Sequence, residues 1–184
     1  MRVIAGECKG RILKTVKGLH TRPTGDKLKE AIFHRLGPFF QGGRCLDLFA
    51  GSGALGIEAL SRGMDHAIFI DQSKEAIRVI HHNVKELRLT DRCDIYRNDA
   101  LRALHILHKK DEMFDLILLD PPYDKVDYNK LIQRLGEVSI MNENCVVYLE
   151  HRPQENIQYN EAIFELVQAK KINQTTSFTI LKKQ

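Results

Sequence analysis

The tetrapeptide Asp120-Pro121-Pro122-Tyr123 follows an apolar run and has the residue types needed to act on the amino group of a nucleobase. Two consecutive prolines end a strand and stiffen the backbone, so the Asp120 carboxylate and the Pro121 carbonyl become two fixed hydrogen-bond acceptors. Such acceptors can make an exocyclic amino nitrogen pyramidal and free its lone pair, while the Tyr123 ring stacks on the base. Attack on a sulfonium methyl would then be catalysed by positioning and electrostatics. The competing interpretation is a turn whose prolines only terminate a strand.

A glycine-rich loop earlier in the chain indicates a cofactor that contains adenosine. Gly51, Gly53 and Gly56 match the pattern GxGxxG between an apolar run at 44–50 and a helical stretch that begins at Ala54. The next apolar run ends in Asp71, where a carboxylate can accept hydrogen bonds from two ribose hydroxyls. The pattern suits a nicotinamide dinucleotide and S-adenosylmethionine equally, and a tight turn that needs small residues for packing would also produce it.

Two further acids have two interpretations each. Asp47 lies inside an otherwise apolar strand, where burying a carboxylate without partners is costly. It would accept hydrogen bonds from loop amides or face the charged amino-acid end of a cofactor. Asp99 follows the third apolar run and would either contact an adenine amino group or cap the next helix.

The rest of the chain supplies the elements that must position these residues. Apolar runs at 44–50, 66–71, 92–98, 115–120 and 145–150 alternate with helical patterns at 54–62, 73–87, 99–108 and 128–138. This alternation predicts a doubly wound α/β fold with a mostly parallel sheet. Segments 164–172 and 174–183 predict an antiparallel hairpin at the sheet edge. We expect one domain over 1–184, in which a small β-hairpin and a helix beginning at Thr24 or Asp26 form an appendage (1–40) to the core (41–184).

The charge of the chain is concentrated at its N-terminal end. The 184 residues carry a net charge of +4, but residues 1–35 carry +6 and the remainder −2. A basic segment suits a phosphate backbone, although a solvated hairpin is the competing interpretation. The candidate RNA contacts are Arg2, Lys9, Arg11 and Lys14.

Composition and cysteine spacing reduce the number of protein classes to which the chain could belong. Hydrophobic residues make up 43% and charged residues 28%, which excludes collagen-like, disordered and coiled-coil chains. The four cysteines form no CxxC pair, so we expect no metal site. With no apolar run long enough for a signal peptide or a membrane span, we expect a cytoplasmic protein, and a monomer.

The motifs also carry a resemblance to a known family. Residues 49–53 together with 120–123 resemble S-adenosylmethionine-dependent amino-methyltransferases. The chain is also similar to the RsmD-like family, the bacterial 16S ribosomal RNA guanine-N2-methyltransferases, in segments 4–6, 9–11, 21–24, 29–31 and 53–63 and at Asp26 and Phe33. The resemblance implies a Rossmann-like class I methyltransferase fold with seven strands. It also implies S-adenosylmethionine as cofactor and 16S rRNA, or a small-subunit assembly, as partner.

The resemblance assigns roles residue by residue. Asp71 would hold the ribose and Asp99 the adenine of the cofactor, and the tetrapeptide 120–123 would hold the guanine. The other implied cofactor contacts are Arg22, Thr24, Asp47, Phe49, Gly51, Ser52 and Gly53. The chain departs from the family pattern near Asn173, between the last two strands, where a glycine is usual, and at Gly25, where other residues are common.

Four other functions remain open on the sequence. The tetrapeptide would serve an adenine-N6 methyltransferase on DNA or RNA as well as a guanine enzyme. A protein-glutamine methyltransferase is disfavoured, because that group has Asn where Asp120 stands. An NAD-dependent oxidoreductase and a noncatalytic nucleotide-binding protein are the alternatives from other classes. Because a small domain offers little surface for selecting one guanine, we expect an assembled ribosomal particle as substrate.

Overall fold

The computed structural model describes residues 1–16, 25–123 and 125–184. Five α-helices lie in these ranges: α1 Asp26–Leu36, α2 Ala54–Ser61, α3 Lys74–Glu86, α4 Ala100–Lys109 and α5 Tyr128–Glu137. Seven strands form one sheet: β1 Arg44–Asp47, β2 His66–Asp71, β3 Cys93–Arg97, β4 Phe114–Leu119, β5 Met141–His151, β6 Phe164–Lys171 and β7 Ser177–Lys183. None of the helices in the described ranges is long and apolar enough to cross a membrane.

The sheet order is β3-β2-β1-β4-β5-β7-β6. Strands β1 to β5 pair in parallel, whereas β7 runs antiparallel to both β5 and β6. This confirms the predicted doubly wound sheet with an antiparallel hairpin at its edge. The predicted first strand is too long, since β1 ends at Asp47 and the backbone then turns into the glycine loop. The predicted fifth strand is too short, because β5 begins at Met141.

The strands are apolar on both faces because both faces are covered. Along β4, Leu116 and Leu118 pack with α1, α2 and α3, while Ile117 and Leu119 pack with α4 and α5. Residues on successive positions of a strand point to opposite faces, so the continuous apolar run is the expected signature of a parallel sheet between two helical layers.

The N-terminal segment packs on the first of these layers. Its two arms are joined by an antiparallel bridge between Arg2 and Ile12, and the Val3 amide donates to the Arg11 carbonyl at 2.9 Å. This confirms the predicted hairpin around residues 7–10. Val3 and Leu13 are buried in the same core cluster as α1 and α2. The packing supports our proposal that 1–184 is a single folded unit.

A buried carboxylate joins the N-terminal segment to both α1 and α2. Glu58 lies on α2 with a fully buried side chain and accepts hydrogen bonds from the amides of Ile4 and Ala5, at 2.8 and 3.0 Å. The Lys29 ammonium lies 3.1 Å from one Glu58 oxygen, and the Arg62 Nε donates to the other at 2.8 Å. Burial lowers the pKa of Lys29, and Glu58 partly offsets this effect. Three separate segments therefore meet at one charged group.

We predict that Glu58→Gln destabilises the protein by about 3–5 kcal/mol, because it leaves two buried cations without a counter-ion. The free energy of unfolding from urea denaturation measures this loss. Glu137→Gln is the matched control: its partner Arg134 lies at 2.8 Å, but both side chains are about half exposed. Such a surface pair is worth roughly 0–1 kcal/mol. Equal losses in the two variants would contradict a structural role for the buried network.

Candidate active site

A cavity of about 1600 Å³ opens at the carboxyl edge of the parallel strands. Its wall is built by residues just beyond the ends of β1 to β4, by the end of β5, by the loop between β6 and β7, and by one side of α1. The chain order reverses between β1 and β4, and open α/β sheets bind ligands at this kind of switch point. The topology therefore brings loops that are distant in sequence to one place.

The glycine loop and the end of β2 form one side of this cavity. Gly51 and Gly53 have φ angles of 55° and 80°, a region that favours glycine. The Gly51 amide donates to one oxygen of Asp71 at 2.9 Å, and the Ser73 amide donates to the other at 2.8 Å. The Asp71 carboxylate is thus held at the cavity wall by two backbone amides.

Asp47 lies behind this loop. It is 1% exposed, and its carboxylate accepts a hydrogen bond from the Gly56 amide at 2.9 Å. Burial raises the pKa of Asp47 to about 7, opposed by the Gly56 hydrogen bond and reinforced by the nearby Asp71. A side chain at Gly56 would place its Cβ 2.4 Å from the Phe69 ring, so glycine permits the close approach of α2 to the sheet. The bond to a main-chain amide agrees with the first of the two interpretations of Asp47.

Asp99 serves as a cap and also lines the cavity. Its carboxylate accepts a hydrogen bond from the Arg102 amide at 3.1 Å at the first turn of α4. The residue also belongs to the cavity wall next to Asn98 and Ala100. The cap is therefore present, and a contact with adenine stays a proposal.

The tetrapeptide 120–123 lies on the other side of the cavity, just beyond β4. Asp120 is partly exposed there, and Pro121 is buried. Burial raises the pKa of Asp120 well above its usual value, and the charges of Glu150 and Asp47 add to the effect. Tyr123 donates a hydrogen bond through its hydroxyl to Glu150 at 3.0 Å.

Glu150 was not identified from the sequence. It ends the apolar part of β5, is 7% exposed and lines the cavity beside the tetrapeptide. Burial raises its pKa, and hydrogen bonds from Tyr123 and Tyr148 partly offset this rise. Its position in the sequence could have identified Glu150, because an acid at the end of the fifth apolar run falls at the same sheet edge as Asp71 and Asp120.

The cavity wall contains eight of the predicted catalytic and cofactor-binding residues: Phe49, Gly51, Asp71, Asp99, Asp120, Pro121, Pro122 and Tyr123. Asp47, Ser52 and Gly53 are not among the described residues that line the cavity. Ser52 is instead linked to the N-terminal segment, because the buried Asn83 amide donates to the carbonyls of both Ser52 and Lys14. Arg22 and Thr24 lie outside the described residues.

The four basic residues of the N-terminal segment are exposed but do not line the cavity. Arg2 pairs with Asp26 at 2.7 Å, and the Arg11 guanidinium donates to the Glu86 carbonyl. Three lysines that were not singled out lie in the cavity wall, namely Lys27, Lys125 and Lys130. Among the described residues, no group of three or more His, Cys, Asp or Glu side chains is arranged to hold a metal ion.

Known proteins resemble this chain over most of its length. A family profile described as "Conserved hypothetical protein 95" matches residues 1–181. The chain is 48% identical to "Putative rRNA methyltransferase YlbH" of Bacillus subtilis, over 93% of this chain and 92% of the relative. It is 33% identical to ribosomal RNA small subunit methyltransferase D of Buchnera aphidicola, over 84% of this chain and 80% of the relative. The solved structure of yhhF from Escherichia coli, a methyltransferase candidate, superposes with a TM-score of 0.85 at 28% identity, covering 100% and 98% of the two chains. The predicted methyltransferase-type fold is confirmed.

The raised pKa of Asp47 predicts a specific dependence of stability on pH. Since the pKa rises from 3.8 to about 7 on folding, the folded state binds more protons between these values, and stability falls as the pH rises. The loss is on the order of 3 kcal/mol between pH 4 and 7. Asp47→Asn keeps an oxygen that can accept the Gly56 hydrogen but does not titrate, so we expect this part of the loss to disappear.

Urea denaturation at about pH 4.5 and about pH 7.5 measures the difference. Asp91→Asn, at an exposed aspartate before β3, is the control and should keep the wild-type pH dependence. A wild-type pH dependence in the Asp47 variant would show that this carboxyl does not titrate as described.

Proposed function

Because the chain belongs to the RsmD family, whose profile spans residues 1–181, we propose that it uses S-adenosylmethionine to methylate the N2 amino group of a guanine in 16S ribosomal RNA. The observation that carries this proposal is that one cavity contains both the Gly51–Asp71 pair and the tetrapeptide 120–123. A carboxylate suited to a ribose and a pair of acceptors suited to an amino group thus line one cavity. The relative from Buchnera aphidicola is named a small-subunit rRNA methyltransferase, which supports the same substrate.

The residues present fit S-adenosylmethionine. The Asp71 carboxylate, held by two amides at the cavity wall, is placed to accept hydrogen bonds from ribose hydroxyls. Phe49 and Leu101 give the adjoining wall an apolar surface for adenine, and Asp99 stands next to them. When bound, the cofactor supplies an electrophilic methyl group on a sulfonium centre. Asp47 would act from behind the wall by fixing α2 and the glycine loop.

The tetrapeptide would prepare the nucleophile. The Asp120 carboxylate and the Pro121 carbonyl accept the two hydrogens of the guanine amino group, which frees the nitrogen lone pair for attack. The new carbon–nitrogen bond would form as the methyl carbon–sulfur bond breaks, with the thioether S-adenosylhomocysteine as the leaving group. The nitrogen would then be cationic and acidic, and Asp120 would accept the proton that it loses. The raised pKa of Asp120 makes it a better proton acceptor than an exposed aspartate. The Tyr123 ring supports the base by stacking.

We predict that Asp120→Ala lowers methyl transfer by at least about 10³-fold, because it removes one acceptor of the amino group and the proton acceptor. Labelled methyl transfer to assembled small subunits and to protein-free 16S rRNA measures the rate, and we expect the assembled particle to be the better substrate. Nucleoside analysis should give N2-methylguanosine. Asp91→Ala, at the opposite edge of the sheet, should retain wild-type transfer.

Calorimetry separates loss of chemistry from loss of folding. Asp120→Ala should bind S-adenosylhomocysteine as the wild type does, and neither protein should bind NAD. Transfer that survives in Asp120→Ala would remove this residue from its role. N6-methyladenosine as product would replace guanine by adenine, and binding of NAD alone would point to an oxidoreductase.

The exposed basic residues of the N-terminal segment are proposed to contact RNA phosphates. Lys9→Ala combined with Lys14→Ala should weaken RNA binding and reduce the slope of log affinity against log salt by about one per lysine. Binding titrations at several salt concentrations measure the slope. Lys109→Ala combined with Lys110→Ala, at the end of α4, removes the same charge elsewhere and is the control. An equal effect of the two double variants would assign the binding to net charge rather than to the hairpin.

A further inference from the structure

The Tyr123 side chain is fixed at its hydroxyl end by one residue of β5 and one residue of the turn before β7. The hydroxyl donates to Glu150 Oε1 at 3.0 Å and lies 3.3 Å from the Thr176 hydroxyl. Because a phenol has one hydrogen and a carboxylate is the stronger acceptor, Thr176 is the donor in the second contact. The guanidinium of Arg152 lies over the ring, 5.5 Å from its centroid, and covers one of its faces. The ring is thus located by groups outside its own loop.

The Glu150 side chain is itself held in place through both of its carboxylate oxygens. Oε1 accepts from Tyr123, while Oε2 accepts from the Tyr148 hydroxyl at 3.1 Å. Tyr148 is completely buried on β5, so its hydroxyl requires a partner inside the protein. The pair of tyrosines fixes the plane of the carboxylate. A side chain in this position cannot rotate without breaking a buried hydrogen bond.

The Thr176 hydroxyl is placed by the turn that begins at Asn173. The Asn173 side-chain oxygen accepts from the amides of Thr175 and Thr176, at 2.8 and 2.9 Å. The Ile172 amide closes the same turn by donating to the Thr176 carbonyl at 2.9 Å. The Asn173 side chain therefore closes this turn, and the turn directs Thr176 to the tyrosine.

Resting on the proposed methylation of a guanine, we infer that Glu150 is a positioning residue that fixes the Tyr123 ring at the orientation against which the base stacks. Arg152 covers one face of the ring, and the base stacks on the opposite face. Orientation has a large effect on rate, since a misplacement of about 1 Å at a reacting centre can cost about 10²-fold. Glu150 acts through Tyr123 and does not itself touch the amino group.

Four variants test this assignment: Glu150→Ala, Glu150→Gln, Tyr123→Phe and the double variant Glu150→Ala with Tyr123→Phe. Glu150→Ala and Tyr123→Phe each remove the same hydrogen bond, so each should lower kcat by about 10- to 100-fold. The KM for S-adenosylmethionine should stay at the wild-type value. The double variant should lose no more than the worse single variant, because both changes break one interaction. Glu150→Gln keeps an acceptor oxygen and should restore most of kcat.

A second measurement reports on the environment of the Tyr123 ring and does not require methyl transfer. The protein is labelled with 3-fluorotyrosine, and the Tyr123 signal is identified by its loss in Tyr123→Phe. Glu150→Ala should shift or broaden this ¹⁹F signal, and Thr176→Val, which removes the other partner of the hydroxyl, should do so more weakly. Thr176→Val also tests the arrangement if Glu150→Ala does not fold.

The outcomes separate this inference from the proposed function. If the wild type transfers no methyl group while the ¹⁹F signal responds to Glu150, the proposed function fails and the positioning of the ring stands. If the signal is the same in the wild type, Glu150→Ala and Thr176→Val, the positioning role is overturned. Losses in kcat that multiply in the double variant would also overturn it, because the two residues would then act independently.

Discussion

The buried carboxylate of Glu58 is the constraint on which the position of the cavity depends. It accepts hydrogen bonds from two amides of the N-terminal segment and pairs with Lys29 on α1 and with Arg62 at the end of α2. One side of α1 forms part of the cavity wall, and α2 follows directly from the glycine loop. A charge that is costly to bury is tolerated here because each carboxylate oxygen has two donors. The same donors hold the N-terminal segment, α1 and α2 in one arrangement relative to the sheet.

A second constraint acts at the cavity itself, where four acidic side chains lie near one another. Asp71, Asp120 and Glu150 end or follow three of the parallel strands, and Asp47 lies behind them. Burial and the repulsion from Glu150 and Asp47 raise the pKa of Asp120, and burial raises the pKa of Glu150. The protein satisfies these groups with backbone amides at Asp71 and with tyrosine hydroxyls at Glu150. A donor-rich ligand, such as a ribose or an exocyclic amino group, complements such a wall, whereas the +6 charge of residues 1–35 suits phosphate.

The parts predicted from sequence are those encoded by local pattern. The helical pattern at 73–87, the strand 66–71 and the positions of Asp71 and Asp120 follow from apolar runs and turn residues, and the structure has them as expected. Glu150 was missed because its partnership with the tetrapeptide depends on strand register: Leu119 pairs with Leu149, so the residues after them become neighbours. Lys29 and Glu58 were missed as a buried pair because charged residues in amphipathic helices usually face solvent, and only tertiary packing shows that these do not.

The antiparallel insertion of β7 explains why the tetrapeptide side of the cavity differs from the glycine-loop side. A parallel strand at this place would bring its carboxyl end, with Lys182 and Lys183, to the cavity. Because β7 runs the other way, its first residue Ser177 pairs with His151, and the tight turn before it reaches the cavity edge. A turn closed by Asn173 can place a single hydroxyl, that of Thr176, beside Tyr123. The glycine-loop side is thus built from loops between parallel strands and helices, while the tetrapeptide side relies on one strand reversal that fixes an aromatic ring.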